Sequence, residues 1–256
     1  MGGTLPALFF KPDEKAKDKE LRHSMEFLSG VPAGGTLFNV AAIALGGSLG
    51  LALGRFIPER LNDTIFHCIG LFTLCLGVGM SLKMQDAIAV LASLVLGALI
   101  GDWLRLDDRL NGLGDLLKTR FHLAEGPFTQ GFVTATLLFC IGSMAIIGAI
   151  DDGLRHDPTL LVTKGVIDGV ASVFLAGSLG PGVLFSVLPI ALYQGGLTLL
   201  AVHMAPFLTE RLYTNLSALG GLMILGIGLN LLGLTKLKLC DLLPGLALVV
   251  LITVLL

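Results

Sequence analysis

The chain has 256 residues, of which 54% are hydrophobic and 14% charged, against roughly 25% charged in an ordinary soluble domain. With a formal net charge of -2 and only 14 Phe, 2 Tyr and 1 Trp, it has no basic stripe interleaved with stacking rings, so nucleic acid is not an expected partner. The charges gather in short clusters, at 55–63, 105–115 and 151–157, between long uncharged runs. Such runs need lipid around them, and in hydrocarbon only helices or closed barrels satisfy their own amides; the absence of in-out alternation removes the barrel. The expected fold class is all-α: a polytopic transmembrane helical bundle whose main partner is the lipid bilayer.

Residues 1–33 differ from the remainder of the chain, because Lys11, Asp13, Glu14, Lys15, Lys17, Asp18, Lys19 and Glu20 crowd one polar stretch. This reads as a solvated tail. No cleaved signal is expected, since the apolar residues 5–10 are too few and precede the charges. The membrane domain then occupies 34–256. A helix of about 20 residues crosses the hydrocarbon, and candidate spans fall near 36–56, 64–82, 87–104, 128–150, 160–178, 182–204, 212–234 and 239–256. Only Leu179, Gly180 and Pro181 separate the fifth from the sixth, which leaves either a tight helical hairpin or one interrupted, partly re-entrant element. Between the third and fourth spans, Leu106, Leu110, Leu113, Leu116, Leu117 and Phe121 recur near helical spacing among charges, as in an amphipathic interfacial helix. Gly112 and Gly114 leave a polar loop as the other reading.

The four cysteines, Cys68, Cys75, Cys140 and Cys240, sit in or beside apolar runs without a Cys-x-x-Cys pair and read as buried packing residues. Basic residues do not settle the orientation if the tail is counted; without it, they favour an extracytoplasmic amino terminus.

Part of the sequence repeats. Leu45-Gly46-Gly47 in the first span matches Gln194-Gly195-Gly196 in the sixth, and Pro58-Glu59-Arg60-Leu61 is echoed by Thr209-Glu210-Arg211-Leu212. The segment from Leu76 through Gly77, Gly79 and Ser81 aligns with that from Leu225 through Gly226, Gly228 and Asn230, and Gly97 with Gly245. Units at about 36–104 and 182–256, with linking helices over 128–178, would enter the membrane in opposite senses. That is the inverted-repeat plan of secondary transporters. Shared glycine-rich composition is the alternative explanation.

Ionisable groups inside a span cost about 2.5 kcal/mol or more, so they are functional candidates. Lys164 and Asp168, four apart in the fifth span, share a helix face and can neutralise each other; both could instead reach water from a helix end. The fourth span closes on Asp151 and Asp152, with His156 and Asp157 soon after, a group that would attract a cation at a pathway mouth or simply be a solvated loop. The pairs Gly77, Gly79 and Gly226, Gly228 permit close helix packing, or local unwinding that bares carbonyls beside Ser81 and Asn230. Asn39, Thr134, Thr136, Ser143, Gln194 and Thr198 could add polar lining or interhelical hydrogen bonds. No metalloprotease, nucleophile-elbow or phosphate-loop motif is present, so neither an enzyme nor a cofactor or metal site is expected.

Several of these motifs occur together in one family. Gly35-Thr36-Leu37-Phe38-Asn39, Gly46-Gly47, Pro58-Glu59-Arg60-Leu61, the stretch from Gly142 to Ile150, Lys164 with Asp168-Gly169, Leu179-Gly180-Pro181-Gly182-Val183 and Tyr193-Gln194-Gly195-Gly196 resemble the bacterial membrane family called domain of unknown function 554 (YdfK/YqgA-like). The resemblance runs from about Gly34 to the carboxyl terminus. It implies a multi-pass protein of the bacterial cytoplasmic (inner) membrane and, for some members, a transport role without a defined substrate. The expected function is therefore a transporter or channel for a small ion or solute. The alternative is a non-transporting scaffold or subunit whose glycine-rich faces serve packing and a possible homo-oligomer. An intramembrane enzyme acting on lipid is weaker, because no nucleophile stands beside a base in the sequence.

Overall fold

The computed structural model describes residues 28–54, 56, 58–122, 127–204 and 209–255; most of the polar tail expected over 1–33 lies outside them. Every element among the described residues is helical. In chain order they are α1 (Gly34–Gly54), α2 (Glu59–Ser81), α3 (Ala87–Leu104), α4 (Leu106–Arg120), α5 (Phe128–Cys140), α6 (Ser143–Arg155), α7 (Thr159–Leu179), α8 (Gly182–Phe185), α9 (Val187–Met204), α10 (Glu210–Leu231), the 3-10 turn η1 (Leu239–Leu242) and α11 (Pro244–Leu255).

Among the described residues six helices are long and apolar enough to cross a membrane, and α5 with α6 forms a seventh that is bent by 58°. The last apolar element, Leu239–Val254, is shorter. Two of the expected eight spans thus differ in kind. The fourth is broken because Ile141 is extended (ψ 126°) and Gly142 takes φ 139°, which side chains rarely adopt, so the ladder of i to i−4 bonds cannot pass. The eighth opens with a 3-10 turn before Pro244, where Asp241 accepts a hydrogen bond from the Asp107 N–H (2.9 Å) at the start of α4. The fifth and sixth make a hairpin turned at Gly180 (φ 77°) and Pro181. Residues 106–120 form a helix, not a loop. Its first turn holds Asp107 and Asp108 and its last Lys118 and Arg120, matching the helix dipole.

Large apolar side chains such as Leu45, Leu71, Leu99, Leu192 and Leu199 lie on the outside. In water they would make a sticky surface; in a bilayer they meet acyl chains. With no hydrophobic drive between helices in lipid, close backbone approach through small residues does the packing. α1 and α7 run parallel, Gly46 against Gly169, Gly50 against Val173 and Gly54 against Gly177. α2 and α10 run antiparallel, with Gly70 facing Gly228 and Gly77 facing Gly221. α3 and α11 are likewise antiparallel through Gly97 and Gly245. α10 is the central helix: 72% of its membrane window is buried, against 17% for α2.

The helix directions define two ends. One carries the start of α1, whose Gly35 N–H meets Asp152 of α6 (3.1 Å), and the α2–α3 turn, where Asp86 meets Arg211 of α10 (2.6 Å). The other carries α4, η1 and a ring cluster in which Phe121 and Phe128 pack on Phe185 at 5.0 and 5.3 Å.

The α2–α10 contact has a direct test. A Cβ on Gly221 would lie 2.6 Å from the Ser81 nitrogen and 2.8 Å from the Gly77 oxygen, whereas one on Gly79 meets nothing within 4 Å. Gly221→Ala is expected to destabilise by about 1–3 kcal/mol. Gly79→Ala should be neutral or stabilise by up to about 1 kcal/mol through helix propensity. Thermal midpoints in detergent distinguish them; equal midpoints would refute the close contact.

Candidate functional site

Asp168 lies near the middle of the 21-residue α7, with Lys164 one turn before it. Only 6% of Lys164 and 7% of Asp168 is exposed, so neither reaches water from the helix end. They form an ion pair, as the spacing of four requires. The Lys164 ammonium also stands 5.9 Å from the centre of the Phe139 ring, an additional attraction for a desolvated cation.

Around this pair the fold gathers amides. Gly165 lets α1 approach until Asn39 lies against α7, and the Asn39 side chain stands beside the Asp168 carboxylate. Asn39 Nδ2 donates to Gln194 Oε1 of α9 (3.0 Å), and both residues are fully buried. Asn39 Oδ1 and Gln194 Nε2 have no hydrogen-bond partner, nor has Thr136 Oγ1 of α5. A buried polar atom without a partner costs on the order of 1–3 kcal/mol, so three such atoms call for a reason.

α5 ends one turn beyond Thr136. Cys140, its last residue, is within electrostatic reach of both Lys164 and Asp168 and of Tyr193 on α9. The chain then breaks at Gly142, against Gly220 of α10, and resumes as α6. A break inside a span leaves the last carbonyls of one half-helix and the first N–H groups of the other without intrahelical partners. Irregular backbone at membrane depth survives where protein or a cavity surrounds it.

The other sequence candidates lie elsewhere. α2 and α10 run unbroken through Gly77, Gly79, Gly226 and Gly228, so these pairs do not unwind; Gly77, Gly226 and Gly228 lie against neighbouring segments, and Gly79 faces open space. Ser81 donates to Val78 O of its own helix (3.0 Å). Asn230 is occupied in shaping the adjoining loop, accepting from Leu237 N and Thr235 Oγ1 and donating to Leu237 O. Thr198 donates to Gln194 O (3.0 Å). Ser143 opens α6, and its side chain lies outside the described residues. Asp151 pairs with Arg155 (3.3 Å), Asp152 caps α1 through Gly35, and His156 makes a left-handed turn after α6 (φ 54°). Asp157 accepts from the Thr159 hydroxyl (2.5 Å) and N–H (3.0 Å), which hold its carboxyl below the usual range. Asp151, Asp152 and Asp157 are thus engaged in structural contacts, and among the described residues no three metal-binding side chains converge. Thr134 lines a separate cavity of about 390 Å³ between α4, α5 and α10, with Asp107, Asn111, Thr129, Gln130 and Asn230.

The family described as "Protein of unknown function (DUF554)" matches residues 34–254. The chain belongs to this family. It is 32% identical over 216 residues to the "Uncharacterized membrane protein YdfK" of Bacillus subtilis (strain 168), covering 83% of this chain and 92% of that protein. It is 31% identical over 219 residues to the "Uncharacterized protein YqgA" of Escherichia coli (strain K12), covering 84% and 93%. No solved structure shows a significant match. This DUF554 chain is thus a multi-pass membrane protein.

Two residues of consequence carry no signal in the spacing of motifs. Cys140 reads as a packing residue, yet at the end of α5 it lies within electrostatic reach of the ion pair. Asn215 of α10, fully buried, ties three elements by accepting from Asp86 N (3.1 Å) and donating to Thr253 Oγ1 of α11 (3.2 Å). Beside it, the Ala89 N–H and the Arg211 guanidinium hold the Asp86 carboxyl below the usual range. A lowered folded-state value means the contribution is present above the unfolded value of about 3.9 and fades as pH falls through the folded one. Asp86→Asn should therefore lower the thermal midpoint at pH 7 and change it little near pH 2. A midpoint difference that stays constant across this range would refute the latch.

Proposed function

We propose that this DUF554 protein is a transporter or channel for a small ion or solute in the bacterial cytoplasmic (inner) membrane. Its path passes the Lys164–Asp168 pair at the break between α5 and α6. The observation that carries this is an ion pair in mid-span beside Asn39, which is bonded to Gln194 and, like it, keeps one buried polar atom without a partner. A purely structural core would satisfy such atoms or replace them with apolar ones, which is often no less stable. Transporters place binding groups at discontinuous helices near the midplane, and Gly142 supplies the discontinuity.

The repeat supports the same function. Helices carrying matched segments pair with each other, α2 with α10 and α3 with α11, both antiparallel. The matched Pro58-Glu59 and Thr209-Glu210 steps also stand alike, each an extended residue and then the first residue of a helix. Two units related by an axis in the membrane plane would produce both features. The chain is a conduit and not an enzyme on this view: the ion pair and its amides are suited to binding, and no bond-making step is required of them.

The competing role, a non-transporting scaffold or subunit, is favoured by the close α2–α10 backbone packing and by the 390 Å³ cavity, whose lining does not include the ion pair. Flux decides between them. In proteoliposomes a solute panel should show protein-dependent uptake, and Asp168→Asn and Lys164→Ala should each reduce it on the order of tenfold or more, since each strands a buried charge. Uptake untouched by both variants would remove the pair from the path; no uptake of any solute would favour the scaffold.

Orientation is set by the basic residues. Arg105, Arg109, Lys118, Arg120, Lys236 and Lys238 belong to the end with α4, against Lys83, Arg155 and Arg211 at the other. Positive charge is retained inside, so α4 faces the cytoplasm. In a chain with Cys68, Cys75, Cys140 and Cys240 replaced by alanine, Asp115→Cys should resist an impermeant thiol reagent in intact cells. Labelling from outside would reverse the assignment.

A further inference from the structure

We infer that the Lys164–Asp168 site takes a small zwitterion, a solute bearing an ammonium and a carboxylate a few bonds apart, as amino acids do. This deepens the conduit function and rests on it. The charges set the constraint. Lys164 and Asp168 are both buried and each neutralises the other. A lone cation that took Asp168 would strand the Lys164 ammonium, and a lone anion that took Lys164 would strand the Asp168 carboxylate. Either leaves an uncompensated charge in low dielectric. A zwitterion does neither: its carboxylate replaces Asp168 beside Lys164 while its ammonium replaces Lys164 beside Asp168.

The uncharged groups match the same ligand. An ammonium needs several acceptors, and Asn39 Oδ1, with no partner of its own, lies on the residue beside Asp168. A carboxylate accepts several hydrogen bonds, and Gln194 Nε2 is an unpartnered donor on the residue bonded to Asn39. One orphan acceptor and one orphan donor thus accompany one negative and one positive group. The break after Cys140 is loosely filled: a Cβ added at Gly142 meets only Met80 Cε, at 3.8 Å.

The test uses the full chain in proteoliposomes with a radiolabelled mixture of the twenty amino acids. Each that accumulates is then put in competition with its decarboxylated amine and its deaminated acid. The amino acid is expected to compete more strongly than either singly charged analogue, on the order of a hundredfold, because each analogue leaves one buried charge alone. Lys164→Met should shift preference to the amine and Asp168→Leu to the acid. If a single variant does not fold, the double variant Lys164→Met with Asp168→Leu removes both charges together and should fold while losing the preference for the amino acid. Uptake of a singly charged solute with no amino acid accumulating or competing would overturn the zwitterion inference and leave the conduit standing. If no solute of any class moves, both fall. A double variant that still prefers the amino acid would remove these two residues from its recognition and overturn the inference.

Discussion

Two opposite charges one helical turn apart in mid-bundle can remain ionised only by facing each other, and the surrounding helices are arranged so that they do. α7 must be a regular helix for Lys164 and Asp168 to share a face, and α1 must lie close enough to keep lipid and water away from both. The second condition is met by glycine: Gly165, Gly169 and Gly177 on α7, with Gly46, Gly50 and Gly54 on α1, remove the side chains that would hold the helices apart. The electrostatics of the site therefore depend on backbone packing along the whole α1–α7 contact. A side chain added at Gly46 would press on Gly169, the residue next to Asp168, and so disturb the ion pair through the backbone.

The same contact explains why Asn39 enters the site. Its Cα would sit 3.0 Å from a Cβ on Gly165, so the amide is carried into the interior with nowhere else to go, and it meets Gln194 from the opposite side. Each amide has one half satisfied by the other and one half left over. In a bilayer, where the unfolded alternative also finds few partners, such a pair contributes modest stability. Its more specific consequence is to present one acceptor and one donor beside a dipole of full charges.

Much of this was legible in the residues. Apolar runs located the helices, because in lipid a helix must be apolar on its outer face for its whole length, and a spacing of four located the ion pair. Asn39 and Gln194 were recognisable as polar groups inside spans, though not as partners, since 155 positions separate them. The break was not legible: Gly142 is one of 34 glycines, and its distinction is a backbone angle imposed by its neighbours. Ser81 and Asn230 illustrate the opposite failure. Their polarity suggested lining, but a hydroxyl can bond its own helix and an amide can organise the next loop, and composition does not separate those uses from solute binding.

The two glycine pairs that match in sequence have different surroundings. Gly46 and Gly47 in the first are pressed against Gly169, Ser172 and Leu184, whereas Gly195 and Gly196, their counterparts in sequence, have open space beside them. The two amides beside the ion pair therefore stand on helices of unequal packing: Asn39 on α1, held by Gly46 and Gly47 against α7 and α8, and Gln194 on α9, whose Gly195 and Gly196 make no such contact.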